Sequence, residues 1–281
     1  MNHIMACIDG SASSPAVCDA AAWASRRLSA PLTFLHVLDH RHYPVTGDLS
    51  GAIGLGSREY LLEQLAALDE QRNRLALEEG RLMLACARER AQAAGIAWPE
   101  TRQRHGGLAD TLQELEADTR LFVIGQRGEG SAAGQVGSQL ESVVRLVHRP
   151  VLVTPTDFAP PRNLMLAFDG SPTARKAVET LAASPLLQEL PMHLVMIGAD
   201  RQGAQAQLAW ARQTLERVGY VVHTALRAGE VEPALHAYQR EHDIDLLAMG
   251  AYGHSRIRRF LVGSTTTHML RTSSTPLLLL R

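Results

Sequence analysis

The residues best suited to bind a ligand lie near the C-terminus, in a glycine-rich segment at residues 250–265. The apolar run at 244–249 before it and the periodic stretch after Ser264 predict a strand, a loop and a helix start. Glycines allow close backbone approach, and the free N–H groups of a helix start attract anions. Ser264 and Thr265 would add hydroxyl donors there. The segment predicts a phosphate-binding loop, with an ordinary turn capped by Ser264 as the alternative.

Other phosphate-binding and catalytic motifs are excluded by the sequence. Lys176 is the only lysine among the 28 Lys and Arg residues, so a Gly-Lys-Ser/Thr P-loop is missing. The glycines at 128, 130 and 134 have the wrong spacing for a dinucleotide fingerprint. HExxH, GxSxG and Cys/His arrangements are also missing, so we assign no catalytic residue. Any phosphate would be held by backbone N–H groups, hydroxyls and arginines.

The chain repeats itself, with five landmarks in the same order in both halves. They are Asp9-Gly-Ser11 and Asp169-Gly-Ser171, the stretches that start at Arg104 and Arg227, those that start at Val123 and Ala248, the pairs Gly137-Ser138 and Gly263-Ser264, and those at Pro150 and Pro276. Three prolines (155, 160 and 161) form a stiff connector between the halves. We therefore predict two homologous domains, at residues 1–156 and 162–281.

Composition limits the environment and the partners of the chain. The net charge of −1 attracts neither nucleic acid nor an anionic membrane. The apolar run at 276–280 is too short to span a bilayer, and the N-terminus lacks a basic region typical of a signal peptide. Three cysteines without a CxxC pair (Cys7, Cys18 and Cys86) favour buried free thiols. We expect a cytoplasmic protein.

Each half alternates predicted strands and helices, which favours an α/β fold with a parallel sheet covered on both faces. In the second half we place strands at 163–168, 192–197, 220–227, 244–249 and 276–280, and helices at 172–184, 203–218, 231–241 and 264–272. The first half has an insert at 39–94, with a loop at 39–57 and a helical stretch at 58–94. Gly80 falls within that stretch and weakens the prediction of one continuous helix.

Ligands of open α/β sheets bind beyond the carboxyl ends of the strands, where the strand order reverses. Asp169 follows the first strand of the second half, and the loop at Gly250 follows its fourth strand. If these strands are neighbours, the carboxylate and the glycine loop face one crevice. Asp169 would then accept hydrogen bonds from a nucleoside, although Asp-Gly-Ser is equally typical of a helix N-cap.

These residues resemble the universal stress protein family. The resemblance rests on the two Asp-Gly-Ser segments and on Gly-x2-Gly-x9-Gly-Ser/Thr, which Gly250, Gly253, Gly263 and Ser264 match with nine residues between the second and third glycines. It implies two doubly wound five-stranded sheets with strand order 3-2-1-4-5, packed as an internal pseudo-dimer in which 151–153 pairs with 277–280. It also implies ATP or a related adenine nucleotide in some members, with Mg²⁺ as an optional companion.

Carried over to the second half, the resemblance implies one candidate site. The carboxylate of Asp169, within Asp169-Gly170-Ser171, would contact ribose or adenine, Ile197 would lie near the base, and Met249 is a further candidate contact. The phosphates would be surrounded by Gly250, Gly253, Gly263, Ser264 and Thr265, with Arg227 and Gly229 at the rim. His254 could approach a phosphate, although packing of the turn explains this residue equally well. Three further arginines lie in the loop, at positions 256, 258 and 259, where solvated side chains are the simpler interpretation.

The first half departs from this motif. Eight residues separate Gly128 from Gly137, where the second half has nine, and Glu129 lies in the loop. A missing residue shifts the helix start, and a carboxylate repels a polyphosphate. We therefore expect weak or absent nucleotide binding by the first domain.

The sequence leaves three classes of function open: a nucleotide-binding stress or regulatory protein, a slow ATPase, and an interaction scaffold that binds no nucleotide. The protein partners are unidentified, and self-association into a homodimer is left open without a residue to support it. His40 and His42, with Asp39 and Asp48 nearby, could hold zinc, but solvated loop histidines are the favoured interpretation.

Overall fold

A computed structural model describes residues 2–38, 55–128, 139–198, 203–251 and 264–281. At positions 55–59, 61, 62 and 264 it describes the backbone alone. Strands and helices alternate through both halves of the chain. This alternation is the one that the sequence predicts for an α/β protein.

The first half contains five strands and four helices within the described ranges. The strands are β1 (His3–Cys7), β2 (Leu32–Leu38), β3 (Glu100–His105), β4 (Thr119–Gly125) and β5 (Val151–Thr154). The helices are α1 (Ser14–Leu28), α2 (Leu55–Ala93), α3 (Leu108–Glu114) and α4 (Leu140–Leu146).

The second half follows the same plan without the long insert. Its strands are β6 (Leu164–Ala167), β7 (Met192–Ile197), β8 (Val222–Arg227), β9 (Leu246–Gly250) and β10 (Leu277–Leu280). Its helices are α5 (Pro172–Ala182), α6 (Ala204–Glu216), α7 (Val231–Glu241) and α8 (Ser264–Thr272). Each lies within a few residues of the range predicted from the apolar periodicity.

All ten strands form one sheet in the order β3-β2-β1-β4-β5-β10-β9-β6-β7-β8. Neighbours within each half are parallel, so each half is a five-stranded sheet with strand order 3-2-1-4-5 in its own numbering. The predicted pair of doubly wound domains is confirmed.

The two halves join through their last strands. Strand β10 pairs with β5 in antiparallel register, with Leu277 opposite Val153 and Leu278 opposite Leu152. A short apolar strand left at a sheet edge would offer unpaired N–H and C=O groups to other chains. Each domain covers the edge of the other, which confirms the predicted internal pseudo-dimer.

The core lies on both faces of the sheet because side chains alternate along each strand. In β6, Leu164 and Leu166 pack on one face, while Met165 packs on the other. All three are fully buried. A strand buried on both faces reads as a continuous apolar run, and this explains why β6 was recognisable in the sequence.

The insert differs in two details from its prediction. Helix α2 begins at Leu55, within the loop predicted at 39–57, and it continues through Gly80 without a break. A Cβ added at Gly80 would lie 2.2 Å from Gln103 Nε2 and 2.5 Å from His36 Cδ2. The glycine is required there because β2 and β3 pack closely against the helix.

The prediction of three buried thiols is wrong for one of them. Cys7 and Cys18 are buried, while Cys86 is exposed on α2. Burial disfavours the thiolate of Cys18 and raises its pKa to about 12. A cysteine on a helix has no fixed burial until the neighbouring helix is placed.

Within the described ranges, no helix is both long enough and apolar enough to cross a bilayer. Helix α2 has 39 residues and so meets the length requirement. It carries charged side chains throughout its length, which a hydrocarbon environment does not tolerate.

Candidate functional site

The carboxyl ends of β6 and β9 meet where the strand order of the second domain reverses. Ala167 of β6 pairs with Met249 of β9, and the chain leaves the sheet just beyond both residues. From β6 the order runs to β7 on one side and to β9 on the other. Such a reversal opens a crevice between the outgoing loops, and this places the Asp169 and Gly250 loops on its two sides.

Asp169 lies in an exposed turn at the end of β6. Its Oδ1 accepts a hydrogen bond from the backbone N–H of Ser171 at 2.9 Å. Gly170 adopts φ +75°, a left-handed conformation that favours glycine. Ser171 then caps α5, since its Oγ accepts from the N–H of Ala174 at 3.2 Å. The N-cap interpretation of Ser171 is thus confirmed, while the Asp169 carboxylate lies exposed at the crevice.

Gly250 ends β9 directly beside the start of α5. A Cβ added there would lie 3.1 Å from Thr173 Cγ2 and 3.3 Å from the backbone N of Ala174. This approach is tighter than most side chains allow, so a larger residue would push the β9 loop away from α5. The first glycine of the motif therefore has a packing role, whether or not a ligand is bound.

A basic and aromatic cluster beside the Asp169 turn was missed by the sequence analysis. Arg175 donates from Nε to the carbonyl of Gly170 at 3.4 Å, and its guanidinium lies 4.5 Å from the ring centroid of Trp210. Trp210 stacks on Phe168 with centroids 6.4 Å apart. The sequence offered one signal for this cluster, the position of Arg175. A side chain near the start of α5 can reach back to the turn that precedes the helix.

Gln207 of α6 also approaches this turn. A Cβ at Gly170 would lie 1.5 Å from Gln207 Oε1, so a larger residue would displace that amide. In the first domain, Gly10 has φ +77° and its Cβ would lie 2.5 Å from Met83 Sδ. The two aspartate turns are therefore covered by chemically different side chains, an amide in one domain and a thioether in the other.

Helix α8 begins at Ser264, as the motif predicts. Thr265 lies in its first turn and is partly buried. Thr267 has a buried hydroxyl, and no partner for its Oγ1 lies among the described residues. The predicted site residues Gly253, His254 and Gly263 lie outside the described residues, as do the three loop arginines.

The remaining predicted site residues lie on neighbouring strand ends. Met249 is buried in the core, and Ile197 is half-buried at the end of β7. Arg227 ends β8, where it donates to Glu241 at 2.8 Å and lies 5.2 Å from the Tyr238 ring centroid. Gly229 follows in an exposed turn with φ +125°. The Arg227 guanidinium is thus engaged by α7 on the outer side of the domain.

The corresponding crevice of the first domain is bridged by its own side chains. Ser11 donates from Oγ to the carbonyl of Arg127 at 3.1 Å, which ties the aspartate turn to the glycine loop. A Cβ at Gly125 would lie 2.7 Å from Ser13 Cβ, so Ser13 fills the space beside the strand end.

The helix after the aspartate turn starts later in the first domain than in the second. Helix α1 has Ser13 as its N-cap, two positions beyond Ser11, while Ser171 itself caps α5. Ser11 is consequently free of the capping position and reaches across the crevice. The sequence contains this signal, because the first proline of the helix falls at Pro15 in one repeat and at Pro172 in the other.

The glycine loop of the first domain also contacts the second domain. Gln126 donates from Nε2 to the carbonyls of Leu270 at 2.6 Å and Ser273 at 3.0 Å. Both acceptors lie at the C-terminal end of α8, where helix carbonyls lack partners within the helix. The equivalent position in the second repeat is Ala251, which has no side-chain donor. The contact therefore runs in one direction, from the first domain to α8.

Residues 40, 42 and 48 of the suggested zinc site lie outside the described ranges, together with Asp39. Over the ranges that the structure describes, no group of three or more His, Cys, Asp or Glu side chains is arranged to hold a metal ion.

Comparison of the sequence with known proteins gives consistent matches over both halves. The model of the universal stress protein family matches residues 1–155 and 188–281. A universal stress protein from Synechocystis is 38% identical over 287 residues and covers 100% of both chains. A universal stress protein from Mycolicibacterium smegmatis is 23% identical over 301 residues, covering 99% of this chain and 96% of its own.

A similar fold is found among solved structures. The crystal structure of a universal stress protein from Archaeoglobus fulgidus has a TM-score of 0.73 and 18% identity, covering 100% of this chain and 98% of its own. At this identity the likeness concerns the fold alone. It extends over both domains and the seam between them.

Proposed function

Because this chain belongs to the universal stress protein family, we propose that its second domain binds ATP or a related adenine nucleotide. The protein is a stress-response protein by family, and the proposal concerns the ligand that it responds to. The crevice between the ends of β6 and β9 is the proposed site.

One observation carries the proposal: Asp169 and Gly250 leave adjacent strands at the reversal of strand order, and α8 begins at the end of the intact glycine motif. An exposed carboxylate can accept hydrogen bonds from ribose hydroxyls or from an adenine amino group. A helix start supplies N–H donors and a positive dipole end to phosphates. In this proposal, both recognition elements contact the same ligand.

The residues available in the second domain fit a nucleotide. Ser264 and Thr265, with the backbone at Gly253 and Gly263, would hold the phosphates, and Met249 and Ile197 would border the base. The buried hydroxyl of Thr267 has no partner among the described residues, which is consistent with a polar group entering near α8. His254 would lie beside the phosphates, and Mg²⁺ would neutralise part of their charge.

We propose that the first domain binds such a nucleotide far more weakly. Its Ser11 donates to the carbonyl of Arg127 across the crevice, and its Ser13 lies against Gly125 at the strand end. Its loop is also one residue shorter and contains Glu129. In this scheme, one occupied domain changes the surface that partner proteins recognise, and hydrolysis is not required.

Calorimetric titration with ATP tests the proposal. We expect one nucleotide per chain, and we expect Gly263→Val to abolish the binding because a branched side chain blocks backbone approach to the phosphates. Gly137→Val is the matched control in the first domain and should leave the affinity unchanged. Mass spectrometry of the purified protein should identify the nucleotide that it retains.

Two outcomes would contradict the assignment. Binding that survives Gly263→Val would place the ligand elsewhere, and equal losses from both variants would remove the asymmetry between domains. A parallel phosphate-release assay distinguishes binding from turnover, since an ATPase would release phosphate repeatedly from the wild type and not from Gly263→Val.

A further inference from the structure

The first part of α2 extends beyond the rest of the protein. Its buried residues Gly80, Leu84, Ala87 and Ala91 follow helical spacing and face the sheet and α1. None of its described side chains at 60–79 is buried. An isolated helix in water gains little stability from helix propensity alone. A long helix that packs on nothing in its own chain is therefore a candidate for packing against another molecule.

Leucines recur in the sequence of this helix at intervals of seven residues, at 61, 68, 75 and 82. Leu68, Leu75 and Leu82 are 48%, 63% and 52% exposed. Interleaved positions 65, 72, 79 and 86 complete a heptad pattern with Leu65, Arg72, Glu79 and Cys86. We call the eight positions from 61 to 86 the leucine stripe. It covers nearly four heptads, or roughly 38 Å of helix at 1.5 Å per residue.

The exposed leucines of the stripe face away from the body of their own chain. At 100° per residue, Leu68, Leu75 and Leu82 lie more than 100° around the helix from Gly80 and Leu84, which contact the body. Two intrahelical ion pairs, Arg74–Glu70 at 3.4 Å and Arg81–Glu78 at 2.7 Å, lie on other faces, while the more distant pair Arg72–Asp69, at 3.9 Å, includes a stripe residue. The leucines are thus available to another helix.

From this pattern we propose that the leucine stripe is a homodimer interface in which two copies of α2 pack antiparallel. The stripe is complementary to itself in this orientation. In the antiparallel register that we propose, the numbers of two facing positions add up to 147. Leu65 then lies against Leu82 of the other copy, and Leu68 lies against Glu79. Arg72 then lies against Leu75, and Leu61 against Cys86. All eight positions are used.

The two charged positions of the stripe select the orientation. In the antiparallel pair, Arg72 of one copy and Glu79 of the other lie in adjacent layers, about 6 Å apart along the axis. In a parallel pair, Arg72 would face Arg72 and Glu79 would face Glu79, and like charges would meet in the seam. Two-fold symmetry makes the favourable pair occur twice.

The position of the protein body agrees with this orientation. Each body contacts α2 through residues 77–91, which lie toward one end of the stripe. Antiparallel packing sends the two bodies to opposite ends of the helix pair, while parallel packing would crowd them at one end. The β5 and β10 edges are already paired with each other inside one chain, so the proposed dimer leaves that seam intact.

Charge reversal tests the proposal in the full-length protein. By sedimentation equilibrium we expect the wild type to dimerise, and we expect Arg72→Glu and Glu79→Arg to weaken the dimer by about tenfold each, because each reversal replaces two attractive pairs by two repulsive ones. The double variant Arg72→Glu/Glu79→Arg should recover the wild-type dissociation constant. Arg74→Glu, a matched reversal outside the stripe, should have no effect.

Cysteine cross-linking tests the register. In a Cys86→Ser background, Leu65→Cys/Leu82→Cys should form disulfide-linked dimers under mild oxidation, because the two positions face each other across the pair. A wild-type chain that is monomeric at all concentrations would overturn the proposal. Efficient Cys86–Cys86 cross-linking in the wild type would overturn the antiparallel orientation, as would a double charge variant that stays as weak as the single variants.

Discussion

Asp9 and Asp169 follow the same strand in the two repeats, yet their carboxylates have different surroundings. Asp9 Oδ1 accepts from the Ser11 N–H at 3.0 Å and from Ser14 Oγ at 3.3 Å. Asp169 Oδ1 accepts from the Ser171 N–H, and its residue is more exposed than Asp9. A carboxylate already bonded by its own loop has less capacity left for a ligand.

We expect Asp169→Ala to weaken nucleotide binding by roughly 1.5–3 kcal/mol, the range for a hydrogen bond to a charged group. Asp9→Ala is the matched control and should barely alter the affinity. Calorimetric titration of both variants measures the difference, and an equal loss in the two would contradict the assignment of the site to the second domain.

A histidine cluster lies on the face of the second domain that α7 covers. His193 Nδ1 lies 2.9 Å from the Tyr238 hydroxyl, and its ring centroid lies 5.3 Å from His223 and 5.0 Å from His242. Arg227 and Glu241 flank the cluster. Burial, followed by the charges that His242 and His223 would carry, lowers the pKa of His193 from 6.5.

This direction gives a pH dependence with a definite sign. A folded-state pKa below 6.5 means that the unfolded chain binds the His193 proton more readily, so the free energy of unfolding is highest above pH 6.5. It falls as the pH falls below that value. Denaturant titrations between pH 7.5 and about 5 should show this decrease, and His193→Gln should reduce it. Burial also lowers the pKa of His236, so some dependence will remain. An unchanged slope in His193→Gln would contradict the explanation.

At the scale of elements, the close packing around Gly80 should reverse the usual effect on stability of replacing a helix glycine by alanine. Alanine normally stabilises an exposed helix relative to glycine by about 1 kcal/mol. In Gly80→Ala the new methyl would meet Gln103 and His36, so we expect a net loss of about 1–3 kcal/mol in thermal or denaturant unfolding. Gly56→Ala, near the start of the same helix, is the control and should be neutral or stabilising. A Gly80→Ala variant more stable than the wild type would contradict this, since it would mean that Gln103 and His36 move aside at little cost in free energy.

Helix α8 connects the two domains through its C-terminal carbonyls. We expect Gln126→Leu to remove two hydrogen bonds there, with a cost of about 1–3 kcal/mol, and to increase hydrogen exchange along α8. A less ordered α8 should also bind phosphate more weakly at its other end. Gln113→Leu, on the exposed side of α3, should change neither measurement. Unaltered exchange in Gln126→Leu would contradict a structural role for the contact.

At the scale of the molecule, one continuous sheet joins the two domains. Beyond the β5–β10 pairing, Arg27 of α1 donates to the Leu186 carbonyl at 3.1 Å and pairs with Glu189 at 3.2 Å. Trp23 packs on Phe158 of the connector with ring centroids 5.8 Å apart. Helix α1 of the first domain is thus attached to the second domain and to the linker.

We expect Trp23 and Trp210, one in each domain, to report coincident unfolding transitions. Leu152 is fully buried at the seam, and Leu152→Ala should lower both transitions together, by about 2–5 kcal/mol. Fluorescence of variants that retain one of these tryptophans measures each domain separately. Two separated transitions, or a shift confined to Trp23, would mean that the domains unfold independently.

The sequence by itself determined the architecture, because apolar periodicity, glycine positions and prolines act locally and recur in both repeats. The strands of the second half follow from those signals. The order of each sheet was implied by the family resemblance, and the seam at 151–153 by that resemblance together with the apolar edge strands. The strand ends at Asp169 and Gly250 were also predictable, since parallel strands place their loops at one edge of the sheet.

Only the tertiary structure decided which side chains surround those loops. Arg175, Gln207 and Ser13 reach the strand ends from helices whose rotation and distance depend on packing across the whole domain. The exposure of Cys86 and the need for glycine at position 80 depend on where α1, β2 and β3 meet α2. Contacts between residues far apart in sequence are fixed by the fit of packed surfaces, which no local pattern contains.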